Sequence, residues 1–290
     1  MIFDVRHPEV LETVRRALAE DIGTGDVTSE ACVPADLQAS GRFFARQHLV
    51  LAGIELLPLI YGQADPFKHS GDCAAPGEPL ASVRGPARDL LSRERVALNF
   101  LQRLSAVATT TRDYVNAVAG TGAAIYDTRK TTPGWRELEK YAVRVGGGKN
   151  HRKGLYDAVL VKDNHLAIMA KAEGQDPITA TGRELERIRP HLPPGSFVEL
   201  EVDTLEQFAA ALKLSVDIIL LDNMSVEQLA QAVRVRDQAG AKDRIELEAS
   251  GGITLRNVRA VAQTGVERIA IGALTHSAGA VDISLDIDLS

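Results

Sequence analysis

From about residue 123 onward, short runs rich in Ile, Val and Leu recur along the chain, at 123–126, 158–161, 197–202, 217–221, 245–249 and 268–271. Segments with apolar residues at helical spacing fill the later intervals, at 204–213, 225–239 and 254–264. Thr204 and Ser225 stand where N-caps belong, and Gln207 and Glu227 a few residues in strengthen those starts. The alternation predicts parallel strands covered by helices. Every run also ends on polar residues or glycine: Asp127-Thr128-Arg129-Lys130, Lys162-Asp163-Asn164, Glu201 to Asp203, Asp222-Asn223, Ser250-Gly251-Gly252 and Gly272. Polar groups at the C-terminal end of every strand are how an α/β barrel builds a site, whereas a doubly wound open sheet gathers its ligand contacts at one switch point. Six clear strands, with 142–145 as a candidate seventh, point to an α/β protein with an incomplete α/β barrel.

The first hundred residues lack this rhythm. Runs at 41–45, 48–52 and 78–83 are broken by Pro and Gly and predict a small α+β domain with an antiparallel sheet. A surface helix is expected over 8–20, with Val10, Leu11, Val14, Ala17 and Leu18 on its apolar side, and a long helix over 87–119. The expected domains are 1–105, an N-terminal α+β domain, and 106–275, the barrel. Residues 276–290 form a tail returning to the first domain.

Composition narrows the function classes. No apolar run approaches the ~20 residues of a membrane span, and a net charge of −6 argues against a general nucleic-acid binder. Cys32 and Cys73 have no second Cys or His at metal-site spacing, so two inert thiols in a reducing cytoplasm are expected. The charge distribution says more than its total. Residues 127–165 hold nine Lys/Arg and five Asp/Glu, a local +4 that leaves −10 for the rest of the chain. Arg136, Lys140 and Arg144 could supply part of this as a solvated helix face.

The remaining cations sit where a ligand would. Arg129 and Lys130 end a strand before the Thr131-Thr132-Pro133-Gly134 turn; arginine's planar fork suits a carboxylate or phosphate, and lysine adds a mobile charge. The stretch from Gly146-Gly147-Gly148 through Lys149, Asn150, His151, Arg152 and Lys153 to Gly154 has the composition of an anion-binding loop, or of any flexible loop. Lys162 reads as a charge clamp, a Schiff-base nucleophile, or a structural partner of Asp163 or Glu201. Glu201 and Asp222 end consecutive strands and would face one pocket, suiting Mg²⁺ bound with a polyphosphate, a developing positive charge, or internal salt bridges. Ser250-Gly251-Gly252, before a helix expected near Thr254, and Gly272 together resemble a barrel phosphate site.

Taken together, Tyr126-Asp127-Thr128-Arg129-Lys130-Thr131-Thr132-Pro133-Gly134, Glu139-Lys140-Tyr141-Ala142-Val143, Gly146-Gly147-Gly148, Asn150-His151-Arg152 and Val161-Lys162-Asp163-Asn164-His165 closely resemble the quinolinate phosphoribosyltransferase family. The likeness extends to Glu20-Asp21-Ile22-Gly23-Thr24-Gly25-Asp26-Val27-Thr28, to Glu94-Arg95-Val96-Ala97-Leu98-Asn99, to Leu221-Asp222-Asn223-Met224 and to Ser250-Gly251-Gly252-Ile253. It implies an N-terminal open-faced sandwich, an incomplete α/β barrel, and a homodimer in which one subunit completes the other's site. Arg129, Arg152, His151, Lys130 and Lys162 would line the quinolinate pocket, with Arg95 from the partner subunit. Lys130 and Lys162 also lie toward phosphoribosyl pyrophosphate, and with Glu201 and Asp222 they form the expected catalytic set. Glu201 and Asp222 would face the ribose and Mg²⁺, directly or through substrate and water, while Ser250, Gly251, Gly252 and Gly272 hold the 5-phosphate. No organic cofactor is implied. Arg103, Ala106 and Lys149 depart from the family pattern, away from the acid and base positions.

The implied reaction transfers the phosphoribosyl group to quinolinate with decarboxylation, giving nicotinate mononucleotide, pyrophosphate and CO₂ for NAD biosynthesis. Two carboxylates on the acceptor would explain a pocket with several cations. Carboxylates near the ribose would stabilise oxocarbenium character as pyrophosphate leaves. Three rivals stay open: a phosphoribosyltransferase for a monocarboxylate or another ring, a Schiff-base aldolase using Lys162, and a non-catalytic binding protein.

Overall fold

The structure is a computed structural model that describes residues 3–173 and 177–289. Along the chain its strands are β1 (Gln38–Ala45), β2 (Leu49–Val50), β3 (Asp65–Pro66), β4 (Cys73–Ala74), β5 (Pro79–Pro86), β6 (Ala124–Tyr126), β7 (Val159–Val161), β8 (Val198–Val202), β9 (Ile218–Asp222), β10 (Glu246–Ser250), β11 (Arg268–Ala270) and β12 (Ile283–Asp288). The chain separates into two compact units: one holds Met1–Arg112, Lys130–Gly148 and Ala273–Ser290, the other Asp113–Arg129 and Lys149–Gly272. The helix Ala87–Ala117 is unbroken through residues 105 and 106, and the second boundary falls between Arg129 and Lys130.

In the first unit β12, β1, β5 and β3 form an antiparallel sheet in that order, with β12 paired to β1 from Ser40↔Asp288 to Ala45↔Ile283. Ala39, Phe43 and Ala45 alternate inward along β1, the period-2 pattern of a strand with one buried face. The long helix buries Leu90, Val96, Leu98, Leu101 and Leu104, while Leu91 is exposed. The candidate seventh strand at 142–145 is instead the end of the helix Arg136–Val145. Its apolar run misled because Leu138, Tyr141, Ala142 and Val143 are buried at helical spacing as well. On the same helix Lys140 is only 3% exposed, so the solvated basic face does not form. Arg103 is structural here: its guanidinium donates to Glu139 Oε1 at 2.8 Å and to the carbonyls of Thr275 and Ala278.

The second unit is the barrel. Its parallel strands run β6-β11-β10-β9-β8-β7. Stepping from β7 to β11, each strand neighbours the next in sequence, and β6 joins β11. Nothing reverses the winding, as a doubly wound sheet requires. A closed barrel would also pair β6 with β7, and among the described residues that pairing is absent, so a seam stays open. Thr204 caps the helix Leu205–Ala211 by accepting from the Gln207 N–H at 3.2 Å. Ser225 forms a capping box on Val226–Gln238, with Gln228 rather than Glu227 as the reciprocal partner. The helix expected near Thr254 starts only at Val258, after a turn in which Asn257 Oδ1 accepts from the Thr254 N–H. Among the described residues no helix is long and apolar enough to cross a membrane.

Candidate active site

Register decides what the barrel encloses, because residues paired across parallel strands share a face. Glu199 pairs with Ile218, Glu201 with Leu220, Glu248 with Leu220 and Arg268, and Ser250 with Asp222. The alternate residues, Leu200, Val202, Ile219, Leu221, Leu247 and Ala249, are apolar and buried and suit the helix-covered face. The charged set therefore faces the concave interior in two tiers. Lys162, Glu201, Asp222 and Ser250 stand at the strand ends; Glu199 and Glu248 lie two residues deeper, with Arg268 beside Glu248.

At the strand ends the Lys162 ammonium is ion-paired with Glu201 Oε2. This contact is the partnership with Glu201 that the sequence offered as one reading of Lys162. Burial raises the Glu201 carboxyl above the usual range, Lys162 opposes that shift, and the nearby Asp222 charge adds to it. Asn223, the one described non-glycine residue with positive φ (53°), follows at once. Its Nδ2 donates to Asp222 Oδ2 at 2.6 Å, its N–H donates to the Ser250 carbonyl at 2.9 Å, and its side chain lies against Gly251. Gly251 (φ 91°) and Gly252 (φ 61°) occupy backbone regions that glycine alone takes without strain.

Deeper in the barrel, His151 Nε2 lies 2.8 Å from Glu199 and 3.5 Å from Glu248, and Arg268 Nε donates to Glu248 at 2.7 Å. The Arg268 guanidinium stacks 3.7 Å over the Tyr126 ring. Burial pushes Glu199 and Glu248 up to about 7, and at Glu248 the charge of Glu199 adds to the shift. These three donors are close enough to hold a metal. However, His151 Nδ1 accepts from the Arg152 N–H at 2.8 Å, which puts the ring hydrogen on Nε2, facing the carboxylates. An N–H cannot ligate, so the cluster is a hydrogen-bonded one in this arrangement.

Two further cations come together beside this cluster. Arg129 Nε is buried without a hydrogen-bond partner. Arg152 is buried, and burial first, then the nearby Arg129 charge, lowers its pKa. Guanidinium groups brought together against their own repulsion suit an anion with more than one charge. Beyond Phe197, His151 and Arg152 also line a cavity of about 400 Å³ with Pro193, Pro194 and Ser196.

The family model described as Quinolinate phosphoribosyl transferase, C-terminal domain, matches residues 107–286, and that for the N-terminal domain matches residues 26–105. The chain belongs to the quinolinate phosphoribosyltransferase family. Among similar family members, a nicotinate-nucleotide pyrophosphorylase [carboxylating] of Mycobacterium leprae is 42% identical over 99% of this chain and 100% of its own length. A quinolinate phosphoribosyltransferase [decarboxylating] 2b of Nicotiana tabacum is 38% identical over 97% of this chain and 84% of its own. The solved nicotinate-nucleotide pyrophosphorylase of Francisella tularensis superposes with a TM-score of 0.86 at 33% identity, covering 99% of both chains.

Of the residues singled out from the sequence of this family member, Arg129, His151, Arg152, Lys162, Glu201, Asp222, Ser250, Gly251, Gly252 and Gly272 belong to the barrel unit, and Arg95 and Lys130 to the other. Sequence reasoning passed over Glu199, Glu248 and Arg268 as site residues. The signal was present: Glu199-x-Glu201 and Glu246-x-Glu248 put charge at every second position of otherwise apolar strands, the mark of a polar interior face.

Proposed function

We propose that this chain is a decarboxylating quinolinate phosphoribosyltransferase, a pentosyltransferase of NAD biosynthesis. It joins quinolinate to the ribose of phosphoribosyl pyrophosphate and releases pyrophosphate and CO₂, leaving nicotinate mononucleotide. Family membership over nearly the whole chain supports this, and the observation that carries it is the pairing of Arg129 with Arg152. Two guanidinium groups close enough to repel each other match a pyridine with two adjacent carboxylates better than one with a single carboxylate.

Each residue has a task that follows from its chemistry. Arg129 and Arg152 bind the acceptor's carboxylates, helped by Lys130, Lys162 and Arg95 of a second subunit in a homodimer. The Ser250-Gly251-Gly252 turn and Gly272 offer backbone to the 5-phosphate. Glu201 and Asp222 face the ribose, where their charge stabilises the cationic carbon as the bond to pyrophosphate breaks. Their oxygen donors at adjacent strand ends also suit Mg²⁺, a hard cation bound by one or two carboxylates plus substrate phosphate. Mg²⁺ when bound supplies charge neutralisation for the leaving pyrophosphate. The pyridine nitrogen that forms the new bond becomes cationic and draws the electrons of the departing carboxylate into the ring. The carbanion then takes a proton from a lysine or from water. Free, exposed Cys32 and Cys73 suit a reducing cytoplasm as the place of this reaction.

The test is to mix the protein with quinolinate, phosphoribosyl pyrophosphate and Mg²⁺ and to follow CO₂ and nicotinate mononucleotide. Formation of both in equal amounts is expected. Absence of turnover with quinolinate, with nicotinic acid accepted in its place, would overturn the reading in favour of a monocarboxylate enzyme.

A further inference from the structure

The open seam of the barrel is covered by the segment that carries Arg152. Lys149 N–H donates to the Ile125 carbonyl at 2.8 Å and Asp127 N–H donates to the Lys149 carbonyl at 3.1 Å, so residue 149 extends the sheet by a parallel bridge beyond β6. An edge strand left bare would expose its backbone groups, and this bridge satisfies two of them. Asp127, fully buried, then accepts from the His151 N–H at 2.8 Å and from Asn150 Nδ2 at 2.6 Å. The segment is thus tied to β6 through its backbone and through one carboxylate.

Its other tie crosses the barrel interior. The His151 ring points inward and meets Phe197 edge-on at 5.3 Å. Nδ1 accepts from the Arg152 N–H, and the Nε2 hydrogen lies against Glu199 of β8. The charged groups facing His151 include Glu199 from β8 and Glu248 from β10 at the ring, Arg268 from β11 bonded to Glu248, and Asp127 at the end of β6 on its backbone N–H. A neutral imidazole has one donor and one acceptor, and each has a partner inside the protein.

We propose that His151 is a positioning residue: latched to Glu199, it pins residues 149–152 across the open seam and holds the Arg152 guanidinium beside Arg129. The proposal rests on the reading of Arg129 and Arg152 as the acceptor's carboxylate clamp. Its reach goes further, because it makes Glu199, which touches no substrate in that reading, a determinant of quinolinate affinity.

Two measurements test it. In the parent enzyme with ¹⁵N-labelled histidine, the resonance lost in His151→Gln is expected to report the neutral ring with hydrogen on Nε2, unchanged by saturating quinolinate. An imidazolium, hydrogen on Nδ1, or a change of ring state on adding quinolinate would overturn the proposal. The ligand-free spectrum needs no turnover, so it decides the latch even if quinolinate is not the substrate. The second measurement is a double-mutant cycle. Glu199→Ala and His151→Ala are each expected to raise the KM for quinolinate about tenfold, the loss of one buried hydrogen bond near charge, with the KM for phosphoribosyl pyrophosphate little moved. The double variant should be no worse than either, and Glu199→Gln, which keeps an acceptor for the ring, should recover most of the loss. Losses that multiply would show His151 acting on the substrate by itself. If an alanine variant fails to fold, the parent spectrum and Glu199→Gln still decide the matter.

Discussion

Arg129 is a half-buried residue whose buried Nε has no hydrogen-bond partner, and its charge helps to depress the pKa of Arg152. In the proposed reading, removing its side chain takes away a charge that the acceptor's carboxylates require. Arg129→Ala is therefore expected to raise the KM for quinolinate tenfold or more, on the order of the 1.5–3 kcal/mol of a charged hydrogen bond, and to leave phosphoribosyl pyrophosphate binding within about twofold. Equal weakening of both ligands in titration would place Arg129 elsewhere. Glu199 makes a pH prediction of definite sign. Its folded pKa, raised by burial from 4.5 to about 7, means the folded state keeps a proton the unfolded chain releases. That stability is fully present below about pH 4.5 and is lost as pH rises through about 7. Glu199→Gln cannot ionise, so its melting temperature relative to the parent should climb between about pH 5 and about pH 8. A difference that stays flat across that range would refute the raised pKa.

Short elements carry the proposed phosphate site, and their backbone explains the glycines. A Cβ on Gly251 would lie 2.2 Å from Asn223 Oδ1 and 2.9 Å from Asn223 N, so the loop after β10 and Asn223 must move apart. A Cβ on Gly252 meets nothing within 4 Å, leaving only the strain of its positive φ. Gly251→Ala should thus raise the KM for phosphoribosyl pyrophosphate about tenfold, a loss of roughly 1.4 kcal/mol, and Gly252→Ala distinctly less. Steady-state kinetics of the two variants side by side would check this, and equal effects would count against the packing argument. The helices on either side of this loop also show how far local sequence reaches. The caps at Thr204 and Ser225 are legible because a cap is a bond to a residue two or three positions away. The start of the helix after Gly252 was not, since Thr254 and Asn257 bond to each other in a turn that delays it to Val258.

For the whole molecule, the proposed homodimer has a consequence that a single chain cannot show. If Arg95 reaches the neighbouring subunit's site, then Arg95→Ala and Glu201→Ala, each inactive alone, complement one another when mixed. One site of each heterodimer then carries both defects and the other carries neither, so about a quarter of all sites become active after subunit exchange. No recovery under conditions where exchange is demonstrated, for example by mass spectrometry of tagged subunits, would place Arg95 in its own subunit's site.

The sequence by itself determined the elements and the direction of the chemistry. Alternating apolar runs require parallel strands with helices between them, and the polar residues ending those runs gather charged groups and glycine turns at one end of the barrel. Those signals are legible because periods of 2 and 3.6 and strand-end polarity are properties of neighbouring residues. Tertiary structure alone decided the rest. The helix at 136–145 and a strand there share one apolar pattern, and only packing on both sides of Tyr141 and Val143 selects between them. Which side of β8 and β10 faces inward follows from register across the sheet, and this makes Glu199 and Glu248 a buried pair. His151 meets Glu199 across 48 residues of chain. Such a contact leaves no local periodicity, because it exists only once strand order has closed the barrel around it.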